Sequence, residues 1–227
     1  ICQPPILELV PKYDEVMTIA EVCKEFSITP DFAEFAECGL FERKRKLYKH
    51  QLEAMQYALK ERKHIVATTG TGSGKTECFL FPVIADLIEE SKQWTDRDSR
   101  PRALRAIILY PLNALAEDQM VRLRKSLDSK SADEMAARNW LDSHRKVNRF
   151  YFGRYTGVTP KNKKEEYNEH KKNWDAALST GEEELRYYIS CMDKDSAEMW
   201  HRSSMREAPP DILVTNYSML NVMLMRK

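Results

Sequence analysis

Thr68-Thr-Gly-Thr-Gly-Ser-Gly-Lys-Thr76 follows the apolar run Ile65-Val66-Ala67 and precedes an amphipathic stretch that opens at Glu77. Glycines at positions 70, 72 and 74 let the backbone fold back and aim several N–H groups at one point. A helix beginning beyond Gly74 adds the positive end of its dipole. This is a phosphate-binding loop. Thr71, Gly72, Ser73 and Gly74 form the cradle, Lys75 reaches the outer phosphates of a nucleotide, and the Thr76 hydroxyl ligates the accompanying Mg²⁺. Lys75 and Thr76 are therefore the expected catalytic residues as well as binding ones. One position departs from the strict G-x-x-x-x-G-K-[ST] pattern, because Thr69 stands where its first Gly belongs. The surroundings, strand then loop then helix, are those the motif requires.

On the N-terminal side, Tyr48-Lys-His-Gln51 opens a helical stretch to Leu59, with Leu52, Met55, Ala58 and Leu59 on one face. Gln51 offers one acceptor and two donors, which suits the edge of adenine beside a phosphate loop. Residues 1–47 read as a helical arm, with helices from Tyr13 to Phe26 and again after Thr29-Pro30. The charge run Glu42 to Lys46 is a solvated connection, with contact to a phosphate backbone as its alternative.

On the C-terminal side, Cys78 to Ser91 has the period of a helix with one buried face, with Pro82 in its second turn. Lys92 to Arg105 is expected as a surface loop. Ala106 to Tyr110, Phe150 to Phe152 and Ile212 to Val214 are short apolar runs separated by helical segments, the mark of strands buried on both faces of a parallel sheet. Each runs into polar residues at its carboxyl end, where open α/β sheets bind ligands. Pro111 and Asn113 follow the first of these runs, with Asn113 also readable as an ordinary helix cap. After Phe152 comes a Gly-rich turn, Gly153 to Pro160, in which Arg154, Thr156 and Gly157 can approach a polymer phosphate. Thr215 and Asn216 end the last run, and Tyr217 to Met225 is an apolar helix. Ser131 to Lys146 reads as a charge-rich surface helix. Lys161 to Arg206 reads as a helical insertion in which lysines, acids and aromatic residues alternate, a pattern that fits a solvated helical face better than a nucleic-acid surface.

Composition narrows the class. The 31% of charged residues exceeds the globular average of about 25%, yet aromatics remain at 10%, so long polar helices explain the excess better than disorder. The net charge of +1 provides no global basic field, and contact with nucleic acid must come from local patches. The five cysteines lack C-x-x-C spacing and disulfide-scaffold density, which points to reduced thiols in a cytoplasmic protein without a zinc site. No apolar run approaches the length of a membrane span. The chain opens on Ile1 without Met, and a piece of a longer protein is expected.

In this order the stretches resemble the first RecA-like domain of superfamily 2 helicases of the DEAD/DEAH-box kind. Thr69 to Thr76 looks like motif I, whose superfamily form commonly replaces the first Gly. Tyr48 to Gln51 is similar to the adenine-reading glutamine motif, Tyr110 to Gln119 to motif Ia, Tyr155 to Pro160 to motif Ib, and Asp211 to Asn216 to the next strand-end motif. The Tyr-x-Gly-x-Thr-Pro and Thr-Asn-Tyr-x-Met-Leu phrasing is closest to large bacterial DNA helicases that include DNA-repair and phage-defence members. The resemblance implies an α/β RecA-like P-loop NTPase domain over residues 48–227, a parallel sheet flanked by helices, with the arm at 1–47 and the insertion at 161–208. It implies ATP and Mg²⁺ as cofactors and nucleic acid, DNA before RNA, as partner. Pro111, Asn113, Arg154, Thr156, Gly157, Thr215 and Asn216 would hold the nucleic-acid backbone. A second RecA-like domain of the same protein would complete the motor, and protein partners would use the insertion or the arm. The acidic Walker B strand is missing, since neither Asp14-Glu15 nor Asp133-Glu134 follows an apolar strand in the right place. The 227 residues alone are accordingly expected to bind ATP and to hydrolyse it poorly. The alternatives are a duplex translocase that does not separate strands, and a nucleic-acid-binding module in which ATP is a conformational ligand only.

Overall fold

Residues 12–97, 100–130, 135–164 and 166–225 are described in the computed structural model. They fall into two compact units, one drawn from 1–33 and 43–86, the other from 34–42 and 87–227. The start of the arm, Asp98, Ser131 to Glu134 and Glu165 lie outside the described residues.

In the first unit the arm is not wholly helical. Glu15–Thr18 forms strand β1, antiparallel to β2 (Lys46–Tyr48), and helix α1 starts only at Ile19 and runs to Phe26. The reason is Thr18-x-x-Glu21, a reciprocal capping box: the Thr18 hydroxyl accepts from Glu21 N at 3.4 Å, and Thr18 N donates to the Glu21 carboxylate at 2.8 Å. Helix α2 (Pro30–Glu37) begins on a proline, whose missing N–H costs nothing in the first turn. Helix α3 (Lys49–Met55) passes into a π-helical turn, Gln56–Lys60. Helix α4 (Lys75–Ser91) contains Pro82 without ending there. Phe32 and Phe81 pack edge to face, 6.3 Å apart, with Leu47, Met55 and Ile84 also buried. Ile65-Val66-Ala67 forms no strand, contrary to expectation: Val66 is 89% exposed. An apolar run becomes a strand only where another supplies its ladder hydrogen bonds, and no strand pairs with it among the described residues.

In the second unit, β3 (Ala106–Tyr110) leads to α5 (Asn113–Leu127) and α6 (Ala137–His144), then to β4 (Phe152–Tyr155). The insertion follows as α7 (Tyr167–Ser179), a 3₁₀ turn (Glu183–Tyr188) and α8 (Arg202–Glu207); β5 (Ile212–Asn216) and α9 (Tyr217–Met225) close the order. The three strands are parallel in the order β3-β5-β4, so β5, buried over Ile212–Thr215, is central. Its register aligns Tyr110 with Asn216 and Tyr155 with Thr215. Three polar strand ends thereby arrive at one edge of the sheet. Strand β3 has a neighbour on one side only among the described residues, and Ile107 and Leu109 remain 50% and 39% exposed. The core beneath gathers Phe35, Trp140 and Phe150, with Phe35 edge-on to the other two rings.

Two further expectations are corrected. The sequence puts a turn from Gly153 straight after the run Phe150 to Phe152, whereas Gly153 lies inside β4. A Cβ there would stand 2.6 Å from Met205 Sδ and 2.7 Å from Met199 O, so the bare backbone is what lets the returning insertion pack on the strand. The segment from Lys92 to Arg105 is not wholly surface either. Arg100 is 3% exposed, with its guanidinium 3.3 Å from the Trp94 ring centroid and bonded to Arg149 O and the Asp211 carboxylate. Asp211 also accepts from Arg105 Nη1 at 2.8 Å and from Tyr151 N at 2.7 Å. Burial pushes this carboxyl above its ordinary value while Arg100 pulls it down. The cluster locks the entry of β5 between its neighbours.

Candidate functional site

The phosphate loop is built against α3. Gly72 and Gly74 take φ of +74° and +78°, the left-handed region that favours glycine. The side chains of α3 hold two successive loop carbonyls: His50 Nε2 lies 2.8 Å from Ser73 O, and Gln51 Nε2 donates to Gly74 O at 3.1 Å. A carbonyl only accepts, so the His50 proton sits on Nε2. Because each peptide unit is trans, the N–H groups of Gly74 and Lys75 point the opposite way from these anchored carbonyls. They form, at the first turn of α4, an anion-facing concavity with the helix dipole behind it. Thr69 Oγ1 and Ser73 Oγ, 2.6 Å apart, tie the loop across its base.

Lys75 Nζ donates to Thr69 O at 2.7 Å and to Gly70 O. Both partners are neutral, and no carboxylate pairs with Lys75 among the described residues, so an anionic phosphate is the stronger acceptor. Thr76 stands in the first turn of α4. Gly74 has no room for a side chain, since a Cβ would meet Gln51 Nε2 at 2.2 Å. These features fit a nucleoside triphosphate with its Mg²⁺: Gly72 to Lys75 would hold the phosphates and Thr76 the metal. Bound ATP supplies a hydrolysable phosphoanhydride.

Gln51, expected at the edge of adenine, is engaged by the protein itself. It is 1% exposed, its Nε2 is on Gly74 O and its Oε1 accepts from Tyr48 N at 2.9 Å. One amide N–H and one lone pair remain for a ligand. His50 was missed as a loop anchor, although it stands next to the residue singled out. Tyr13 was missed too: its ring packs 5.4 Å from Tyr48 and 5.2 Å from His50, and its hydroxyl is 3.1 Å from where a Gly70 Cβ would be. A cavity of about 490 Å³ beside the loop is lined by His50, Ala54, Tyr57, Val66 and Thr69 among others.

At the carboxyl edge of the sheet in the second unit, the expected residues divide into two groups. Pro111 and Asn113 are exposed, Gly157 is exposed with nothing within 4 Å of an added Cβ, and Asn216 is half-buried. Asn216 Nδ2 donates to Asn113 Oδ1 at 2.7 Å, and its own Oδ1 accepts from Met219 N at 2.8 Å to cap α9. Asn113 is not a helix cap, since α5 starts on it after an N-cap at Leu112.

The second group faces inward. Thr156 and Thr215 are fully buried: Thr215 Oγ1 donates to Tyr155 O at 2.6 Å, and Thr156 N donates to Thr159 Oγ1 at 3.0 Å. Their hydroxyls shape the strand ends from inside, which corrects the expectation that these side chains face a backbone ligand. Thr159 Oγ1 also donates to Arg154 O at 2.8 Å and so closes the turn beneath Gly157. Arg154 is paired with Glu117, which also receives Arg124 Nη1 at 3.0 Å. Arg124 in turn donates to the buried Glu198 carboxylate through Nε and Nη2, at 2.9 and 2.8 Å. Burial raises the Glu198 pKa, but Arg124 and hydrogen bonds outweigh it and hold the carboxyl below its ordinary value.

A phosphate loop that opens a helix, and a parallel sheet with polar strand ends, are each marks of an α/β P-loop domain of the RecA-like class. The chain belongs to the DEAD/DEAH box helicase family, whose model matches residues 48–180. It is similar to Druantia protein DruE of Escherichia coli (strain UMEA 4076-1), 30% identical over a 276-residue alignment that covers all of this chain and 15% of DruE. It is also similar to the uncharacterized ATP-dependent helicase YprA of Bacillus subtilis (strain 168), 35% identical over 39% of this chain and 10% of YprA. Among solved structures, the DUF1998 helicase MrfA bound to DNA and AMPPNP aligns with a TM-score of 0.43 and 23% identity, over 86% of this chain and 17% of that one. The chain thus spans less than a fifth of the length of each of these relatives. Among the described residues no helix is long and apolar enough to cross a membrane.

Proposed function

We propose that the protein is an ATP-driven nucleic-acid motor, and that this chain provides its nucleotide cradle and part of its track for one strand. The observation that carries the reading is the loop anchored from behind by His50 and Gln51, with Lys75 donating to the neutral carbonyls of Thr69 and Gly70. Gly72 to Thr76 would bind the triphosphate and Mg²⁺, and the remaining Gln51 N–H and lone pair would sense the base. Pro111, Asn113, Gly157 and Asn216 would meet the sugar-phosphate backbone of one strand, with Arg154, Thr156 and Thr215 supporting them from behind. DNA is favoured over RNA by the phrasing of Tyr155 to Pro160 and Thr215 to Leu220, which also supports a place among bacterial helicases with repair and defence members. A second RecA-like domain of the same protein closes on the first in this reading, coupling turnover to movement.

The test is Lys75→Ala in the full-length protein. Each charge-assisted contact removed is worth about 1.5–3 kcal/mol, so nucleotide affinity should fall roughly 10- to 150-fold per contact and DNA-stimulated ATPase should vanish. Undiminished ATPase would overturn the motor reading. Nucleotide-dependent DNA binding by a native protein that never turns ATP over would replace it with a ligand-gated binding module.

A further inference from the structure

The insertion between β4 and β5 is not a detached excursion, because its return is fastened to the turn that ends β4. Arg202 Nε donates to Thr159 O at 2.8 Å, Arg202 N to Pro160 O at 2.8 Å, and Ser203 N to Lys161 O at 3.0 Å. Pro160 therefore leads into the exposed turn Lys161-Asn162-Lys163-Lys164 along a fixed path, and Lys164 N is pinned to Asn162 Oδ1 at 3.0 Å. Among the described residues neither Lys163 nor Lys164 joins an ion pair, whereas Lys171, further along α7, is paired with Asp175 at 2.8 Å and Glu166 with His170 at 3.5 Å.

Beside the turn stands an aromatic group. Tyr167 is 37% exposed, its ring centroid is 6.3 Å from Trp200, and Trp200 lies 5.2 Å from His170 and 4.9 Å from His201. Lys163, Lys164, Tyr167 and Asn168 line a shallow concavity of about 350 Å³.

We propose that the Lys161–Lys164 turn and the ring of Tyr167, backed by Trp200, form a binding patch for single-stranded nucleic acid that extends the track beyond Gly157. The ammonium groups of Lys163 and Lys164, without an ion-pair partner among the described residues, match phosphates, and a partly exposed ring braced by a second ring is a stacking platform for an unpaired base. A duplex keeps its bases stacked inside and cannot use that platform, which selects the single strand. The inference rests on the nucleic-acid reading of the strand ends.

The experiment is a salt titration of fluorescein-labelled oligo-dT binding to the full-length protein, native and with Lys163→Ala/Lys164→Ala, Tyr167→Ala and Tyr167→Phe. Losing two phosphate contacts should flatten the slope of log affinity against log salt by about 1.4, at about 0.7 per phosphate on a single strand. Tyr167→Ala should bind roughly 5- to 150-fold more weakly with the slope unchanged, and Tyr167→Phe should bind like the native protein. Native binding with no change in either Ala variant would overturn this patch and leave the strand-end reading intact. No binding by the native protein would overturn both.

Discussion

Gly74→Ala tests the cradle at its tightest point. The added methyl would lie 2.2 Å from Gln51 Nε2, on a backbone with φ of +78°. Holding an L-residue in that conformation costs about 1–2 kcal/mol. Relieving the collision means moving the Gln51 amide off Gly74 O, and because Gln51 is 1% exposed, an amide left without that partner costs about a further 1–3 kcal/mol. The sum, about 2–5 kcal/mol, corresponds to a loss of at least roughly 30-fold in the population of the native loop. Urea unfolding of the chain reports the loss as a lower midpoint, and titration with a fluorescent ADP analogue reports it as weaker binding. Gln51→Ala separates the two contributions: it removes the collision together with the bonds to Gly74 O and Tyr48 N, so the cost of adding Gly74→Ala, measured against Gln51→Ala alone, should shrink to the backbone strain of about 1–2 kcal/mol. A Gly74→Ala protein within about 0.5 kcal/mol of native in both assays would refute this account of the loop.

Gly153→Ala should lower the urea midpoint by the equivalent of about 1–3 kcal/mol, because a backbone carbonyl, Met199 O, stands 2.7 Å from the new Cβ and cannot rotate away. Arg124→Met should destabilise by about 3–5 kcal/mol, since it strands the buried Glu198. The pH dependence of that variant carries the sign. In the native protein the depressed Glu198 contributes stability that is complete above its unfolded value near 4.5 and is lost as pH falls through the folded one. Without Arg124 the buried carboxylate favours protonation, so urea midpoints of the variant should rise as pH drops from about 7 to 5. Cys23, Cys38 and Cys191, whose thiols burial pushes up to about 11, should resist iodoacetamide at pH ~8 in the native protein and react in urea, as read by mass spectrometry.

The phosphate loop and the strands beginning at Ala106 and Ile212 were legible because their chemistry is local: glycine spacing, apolar runs and the polar residues that follow. What stayed hidden depends on partners distant in sequence. Nothing around Ile65 to Ala67 says that a ladder partner is needed, and nothing around Gly153 announces Met199 and Met205. The inward turn of Thr156 and Thr215 follows from the register of β4 against β5, which no single stretch encodes. Thr18-x-x-Glu21 was readable as a capping box and would have placed the start of α1. Arg100 looked like a loop residue until Trp94 and Asp211 closed on it from either side.

The flank of β3 that has no strand neighbour among the described residues bears on how the chain behaves in a test tube. A row of ladder groups on one flank, with Ile107 and Leu109 half uncovered, is a template on which a second copy can grow sheet. At high concentration the 227 residues should therefore associate edge to edge, and slow oligomers in light scattering should precede any loss of helix signal. A lysine at position 107 would act as a gatekeeper, adding a charge that must be desolvated when two edges meet. Ile107→Lys should delay that association without touching the phosphate loop.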